Sequence, residues 1–179
     1  MNPNQPKPKV VFVANCLLNQ YMRARGVKNT YKKGERVPGI VEPLMDLLEK
    51  YNVAVEQMPC IEVYYEGLVR TACGQNRYNK EDFKRLCEKY AGEIVYLIGQ
   101  YEKAGYDVRC IIGMDGSPTC GVDLTALGGG KWARDRGIFM KILEERLKKN
   151  GYNIPMIGAR LKSNTEINRF LRDVEQYLR

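Results

Sequence analysis

Val10-Val11-Phe12-Val13-Ala14-Asn15-Cys16-Leu17-Leu18 is the stretch on which the reading of the fold turns. Its first five residues form a short, uninterrupted apolar run dominated by β-branched valine. Strict alternation would mark a half-exposed strand, whereas a continuous run of this kind fits a strand buried on both faces, as in a parallel sheet. Three more segments read as strands: Val53 to Met58, stopped by Pro59; Val108 to Met114; and Ile154 to Ala159.

Between these runs, apolar residues recur at helical spacing. Pro38-Gly39 opens a pattern with Ile40, Val41, Leu44, Leu47 and Leu48 that should end near Tyr51-Asn52. Asn79 is expected to cap a helix whose acidic first turn is Glu81-Asp82, with a break near Gly92 and a stop at Gly105. A further helix is expected over about 133–149, closed by Asn150-Gly151, and a last one starts at Ser163/Asn164. Residues 20–37 and 60–79 read as long loops. Strands alternating with helices predict a three-layer α/β domain, flavodoxin-like or Rossmann-like, with a mostly parallel sheet of four or five strands in the order 2-1-3-4. Residues 1–8 are expected to be a flexible tail, and residues 9–179 a single domain.

Composition narrows the chemistry. The chain has 179 residues, six cysteines and no histidine. A Ser-His-Asp triad, a His-liganded zinc and a proximal-His haem are thereby excluded. The N-terminus carries no apolar core of a secretory signal, and no run approaches the length of a membrane span, so the expected compartment is the cytoplasm. Cysteines in a reducing compartment are metal ligands, catalytic groups or core fillers. The net charge of +8 is spread over helices and interleaved with Glu. It reads as a solvated basic surface rather than a nucleic-acid interface.

Ligands of open α/β sheets bind beyond the carboxyl ends of the strands, where strand order reverses. Cys16 follows the first expected strand, Cys60 the second, and Cys120 lies six residues past Met114 at the end of the third. Strands spaced by about 4.8 Å would let these three thiols converge on one inorganic centre. Cys87 and Cys110 fall at apolar positions of a helix and a strand and read as fillers, while Cys73, in a loop, is a candidate fourth ligand. Structural zinc takes four closed ligands and a 4Fe–4S cluster usually takes four cysteines, so three thiolates would leave one position open.

Cys16-Leu17-Leu18, Cys60 with Glu62 and the nearby Gly67-Leu68, and Ser117-Pro118-Thr119-Cys120-Gly121 resemble the 2-thiouracil desulfurase family, whose pattern is C-L-L-G, C-P-E with G-G-L, and S-P-S-C-G. Asn19, Ile61 and Thr119 depart from it, as does Glu66 before Gly67. The resemblance implies a 4Fe–4S cluster held by Cys16, Cys60 and Cys120, with one open iron that binds the substrate's sulfur. It implies a desulfidase that removes sulfur from a thiocarbonyl of a small, thiouracil-like compound and releases hydrogen sulfide. The alternative is a non-catalytic iron–sulfur or metal sensor on the same fold.

Without histidine, proton transfer falls to a carboxylate. Glu56 and Glu62 flank Cys60 and are the two candidates, with Asp115 the third. Ser117 is expected to hydrogen-bond the substrate ring or a cluster sulfide. Gly128-Gly129-Gly130 suggests an anion cradle at a helix N-terminus or a turn. Arg160 and Asn164 could meet polar groups of a substrate, and Tyr21, Tyr64 and Tyr65 could stack on a flat ring.

Overall fold

The computed structural model describes residues 6–26 and 41–179. The expected helix start at Pro38-Gly39, most of the 20–37 loop and the first five residues of the tail lie outside that range. In chain order the elements are β1 (Lys9–Ala14), α1 (Asn15–Leu18), a 3-10 turn at Gln20–Met22, α2 (Val41–Lys50), β2 (Val53–Met58), α3 (Ile61–Glu66) and α4 (Gln75–Tyr78). They continue with α5 (Glu81–Lys103), β3 (Asp107–Met114), β4 (Thr125–Gly128), β5 (Lys131–Ala133), α6 (Ile138–Lys149), β6 (Met156–Ala159) and α7 (Asn164–Leu178).

The main sheet has four parallel strands in the order β2-β1-β3-β6, the arrangement expected from the alternation of strands and helices. After β1 the chain steps to β2 on one side and then returns to β3 on the other, so strand order reverses between β1 and β3. Helix α5 packs on α6, and α2 packs on α7, giving a helical layer on each face of the sheet. Val10 to Val13 of β1 are fully buried, as their unbroken apolar run requires.

The Phe12 ring meets the Tyr101 edge with centroids 5.9 Å apart. Phe12 has no exposed surface, so Phe12→Ala should cost about 3–5 kcal/mol of stability by urea denaturation, with the transition still cooperative.

Several local expectations are corrected. The fourth main-sheet strand starts at Met156 rather than Ile154. The helix expected from about 133 begins at Ile138 instead, and residues 131–133 pair with β4 as a hairpin. Gly128-Gly129-Gly130 is the turn of that hairpin, each residue with positive φ (112°, 59° and 76°), and not a cradle at a helix N-terminus. Asn79 is the C-terminal cap of α4, while Lys80 caps α5 without a side-chain bond. Helix α5 runs unbroken through Gly92, where the missing Cβ leaves room for the Arg146 guanidinium. The 60–79 loop contains two short helices. Ser163 does cap α7, its hydroxyl accepting from the Glu166 N–H at 3.2 Å.

Candidate metal centre and catalytic site

The carboxyl ends of β1, β2 and β3 carry the site. Cys16 lies in α1 directly after β1, and Cys60 is the N-terminal cap residue of α3 directly after β2. Cys120 sits in the turn that follows β3. The six cysteines are free thiols.

The β3 turn is built by its own side chains and by α6. Ser117 Oγ accepts from the N–H groups of Thr119 at 3.2 Å and Cys120 at 3.0 Å. The first N–H groups of α6 and its cap find carbonyls in this turn: Gly137 N–H donates to Gly121 O at 2.9 Å, and Ile138 N–H to Pro118 O at 2.9 Å. Gly137 permits that approach, since a Cβ there would stand 2.3 Å from Thr119 O.

Asp115, the third carboxylate candidate, is committed elsewhere. Its Oδ1 accepts from the N–H groups of Val122, Asp123 and Leu124 at 3.0, 2.9 and 3.3 Å, and Oδ2 from Arg160 at 3.1 Å. Its role is to organise the 122–124 loop, and Arg160 is its ion partner. Asp115→Ala should leave the part-buried N–H groups of Val122 and Leu124 without their acceptor and cost about 1–2 kcal/mol, read as a lower Tm, with Asp115→Asn recovering part of the loss.

Glu62 is the carboxylate linked to the thiols, through Arg70 and Thr119. It is 6% exposed, and its Oε2 accepts from Arg70 Nε at 2.8 Å. Oε1 accepts from Thr119 Oγ1 at 2.6 Å and from Ser117 Oγ at 3.3 Å. Arg70 continues the network, with Nη2 2.8 Å from Met22 O and 3.5 Å from Cys60 Sγ. Thr119 Oγ1 lies 3.6 Å from Cys120 Sγ.

The electrostatics tie the three thiols together. Loss of solvation pushes Cys16 up to about 12; Cys60 and Glu62 add to the rise, while Arg23 and Arg70 oppose it. Burial also raises Cys60, where Arg70 and the N–H groups of Val63 and Glu62 pull back. Cys120 is raised well above the ordinary thiol value, first by burial and then by Cys60 and Cys16. Each thiol therefore lies within electrostatic reach of another. Among the described residues, no three Cys, Asp or Glu side chains converge tightly enough to hold a single metal ion.

A 4Fe–4S cluster makes a different demand, because its irons occupy separate corners and its thiolates are spread around it. The donor set suits such a group. Three thiols come from three strand ends, with the Arg70 guanidinium 3.5 Å from Cys60 and the charges of Arg23 and Arg70 both acting on Cys16. Buried N–H groups of Arg23 and Arg70 stand without partners. An anionic, sulfur-rich group would satisfy both the charge and the open donors.

Other expected site residues lie apart. Glu56 pairs with Phe12 within the sheet and accepts from the Tyr101 hydroxyl at 2.8 Å, so it is not brought to the thiols. The Tyr64 ring meets Tyr90 at a 32° tilt with centroids 4.9 Å apart, and Tyr65 donates to Asp82 at 2.8 Å. Tyr21 is exposed, and Asn164 starts α7. Cys73 packs against the core, and the neighbouring Tyr78 hydroxyl donates to Glu66 Oε2 at 3.1 Å. Cys87 and Cys110 are core fillers, as expected. Sequence reasoning missed Arg23, Arg70 and the hydroxyl role of Thr119. A buried arginine leaves no periodic signal in a loop, and Thr119 stood out only as a departure from S-P-S-C-G.

No helix among the described residues is long and apolar enough to cross a membrane. No family model matches the chain. It is 25% identical over 171 residues to an uncharacterized protein of Methanocaldococcus jannaschii, covering 96% of this chain and 97% of that one. Its structure is similar to that of a 4Fe–4S-dependent thiouracil desulfidase, TudS, with a TM-score of 0.53 and 19% identity, over 95% of this chain and 99% of the other. The resemblance raised by the cysteine motifs is thus matched by a likeness of fold along nearly the whole chain.

Proposed function

We propose that this chain is an iron–sulfur-dependent desulfidase. It replaces the sulfur of a thiocarbonyl in a small, thiouracil-like compound with oxygen from water and releases hydrogen sulfide. The observation that carries the reading is the buried Glu62 bonded into the same network as Cys60 and Cys120, at the sheet edge where Cys16 also emerges. The fold shared with a thiouracil desulfidase supports it.

The net reaction converts C=S and water to C=O and hydrogen sulfide, with no change in oxidation state. Cys16, Cys60 and Cys120 would hold the cluster. When bound, a three-cysteine 4Fe–4S cluster supplies a thiophilic, Lewis-acidic iron with an open coordination position. Glu62 accepts a proton from the attacking water and returns it to the departing sulfur. Arg70 balances the Glu62 charge, and Thr119 and Ser117 hold the carboxylate in place with hydroxyl donors. Ser117 also fixes the Cys120 backbone, so its role is positional. The cytoplasm, where thiols stay reduced, is the proposed compartment.

The test is anaerobic reconstitution with iron and sulfide, followed by a visible spectrum, an iron count and sulfide release from 2-thiouracil. A wild-type chain that takes up no cluster overturns the proposal. A cluster-bearing chain that releases sulfide from no thio-base overturns the catalytic reading in favour of a sensor.

A further inference from the structure

Folded proteins pair nearly all their buried polar groups, and an orphaned donor carries its full desolvation cost. Among the described residues, four side-chain atoms are buried without a partner: Asn15 Oδ1, Arg23 Nε, Arg23 Nη2 and Arg70 Nη1. All lie on segments that meet at the thiol site. Asn15 precedes Cys16, Arg70 Nη2 lies 3.5 Å from Cys60 Sγ, and Arg23 follows Met22, whose carbonyl accepts from that same Arg70 nitrogen at 2.8 Å.

The orphans are not a sign of slack structure. Arg70 is anchored through Nε to Glu62 and through Nη2 to Met22 O, which leaves Nη1 as its free donor. The backbone around Arg23 is pinned on both sides. Tyr21 N–H donates to Asn19 Oδ1 at 3.1 Å, Arg23 N–H to Gln20 O at 3.2 Å, and Arg25 N–H to Arg70 O at 2.9 Å. The two open nitrogens of Arg23, Nε and Nη2, form one edge of the guanidinium, the fork that meets two acceptors at once.

We propose that Arg23 and Arg70 are positioning residues that donate these free N–H groups to the sulfur atoms of the iron–sulfur group and its thiolates. This pairing secures the bound cluster and raises its reduction potential. The inference rests on the desulfidase reading but concerns the cluster rather than turnover. Donors and positive charge next to cluster sulfur favour the more negative, reduced state, so their removal shifts the potential downward. The same groups burden the chain before the cluster is bound, because nothing there pairs them.

The two consequences have opposite signs, and Arg23→Met separates them. The cluster-free Arg23→Met protein should melt at a higher temperature than the wild type. Once reconstituted, it should lose iron to a chelator about 10- to 100-fold faster, with a more negative midpoint potential. Arg70→Lys keeps a cation for Glu62 but removes the fork, and should shift the potential the same way. A lower melting temperature for cluster-free Arg23→Met would assign that guanidinium to the fold and overturn the inference. So would unchanged iron retention and potential in both reconstituted variants. Failure of the wild type to take up a cluster is a separate result: it overturns the functional reading, and this inference falls with it.

Discussion

The Cys120→Ala protein should emerge from anaerobic reconstitution without the broad visible absorption or the bound iron of the wild type. Cys120 sits in the turn after β3, its backbone is fixed by Ser117, its sulfur lies 3.6 Å from the Thr119 hydroxyl, and it feels the charges of Cys60 and Cys16. Under the proposed assignment Cys16, Cys60 and Cys120 are the three ligands, so losing one thiolate would remove the Lewis-acid centre. A contribution of about 4 kcal/mol from such a centre corresponds to roughly a thousandfold in rate. Sulfide release from 2-thiouracil should therefore fall by about that factor or more. The fold should survive, since the substitution removes one buried sulfur and costs on the order of 1 kcal/mol. Cys110→Ala is the matched comparison: Cys110 is also buried but lies within β3 rather than in the turn beyond its end, so its variant should keep iron and spectrum. An undiminished cluster in Cys120→Ala would sink the ligand assignment.

How much of this was legible beforehand differs between the sheet and the site. The run at Val10–Ala14 was decisive because a strand buried on both faces needs an unbroken apolar sequence, and strand order followed from connection rules. The hairpin of β4 and β5 was missed because its strands have only four and three residues, too few to establish a period. Its glycines can equally mark a turn or an anion site.

The placement of Cys16, Cys60 and Cys120 after three strands was legible, since the end of each strand could be read. The carboxylate was not. Glu56 and Glu62 lie four residues before and two after Cys60, and spacing alone treats them alike. What separates them is the start of α3 at Ile61, which turns Glu62 into the buried network, while β2 carries Glu56 to Tyr101. Arg70 pairs with Glu62 only because the chain from α3 doubles back, a path no local pattern records.

Glu62→Gln tests that distinction with the second large effect. The substitution preserves side-chain shape and leaves an oxygen that can accept from Thr119, but it removes the charge facing Arg70. Both partners of this ion pair are nearly inaccessible, with side-chain exposures of 8% and 3%. Breaking such a pair leaves a buried cation uncompensated, at about 3–5 kcal/mol. Urea denaturation of the cluster-free protein should report a loss of that order. Catalysis should suffer separately, because an amide neither takes a proton from water nor returns one to the leaving sulfur. A drop in kcat of about 10²- to 10⁴-fold is expected in reconstituted protein that still shows the wild-type spectrum and iron content. Glu56→Gln weakens only the bond with Tyr101, so its expected cost is about 1 kcal/mol of stability and not a comparable fall in kcat. If Glu56→Gln instead abolishes turnover while Glu62→Gln retains it, proton transfer belongs to Glu56 and the Glu62 network serves only to hold Cys60 and Cys120 in place.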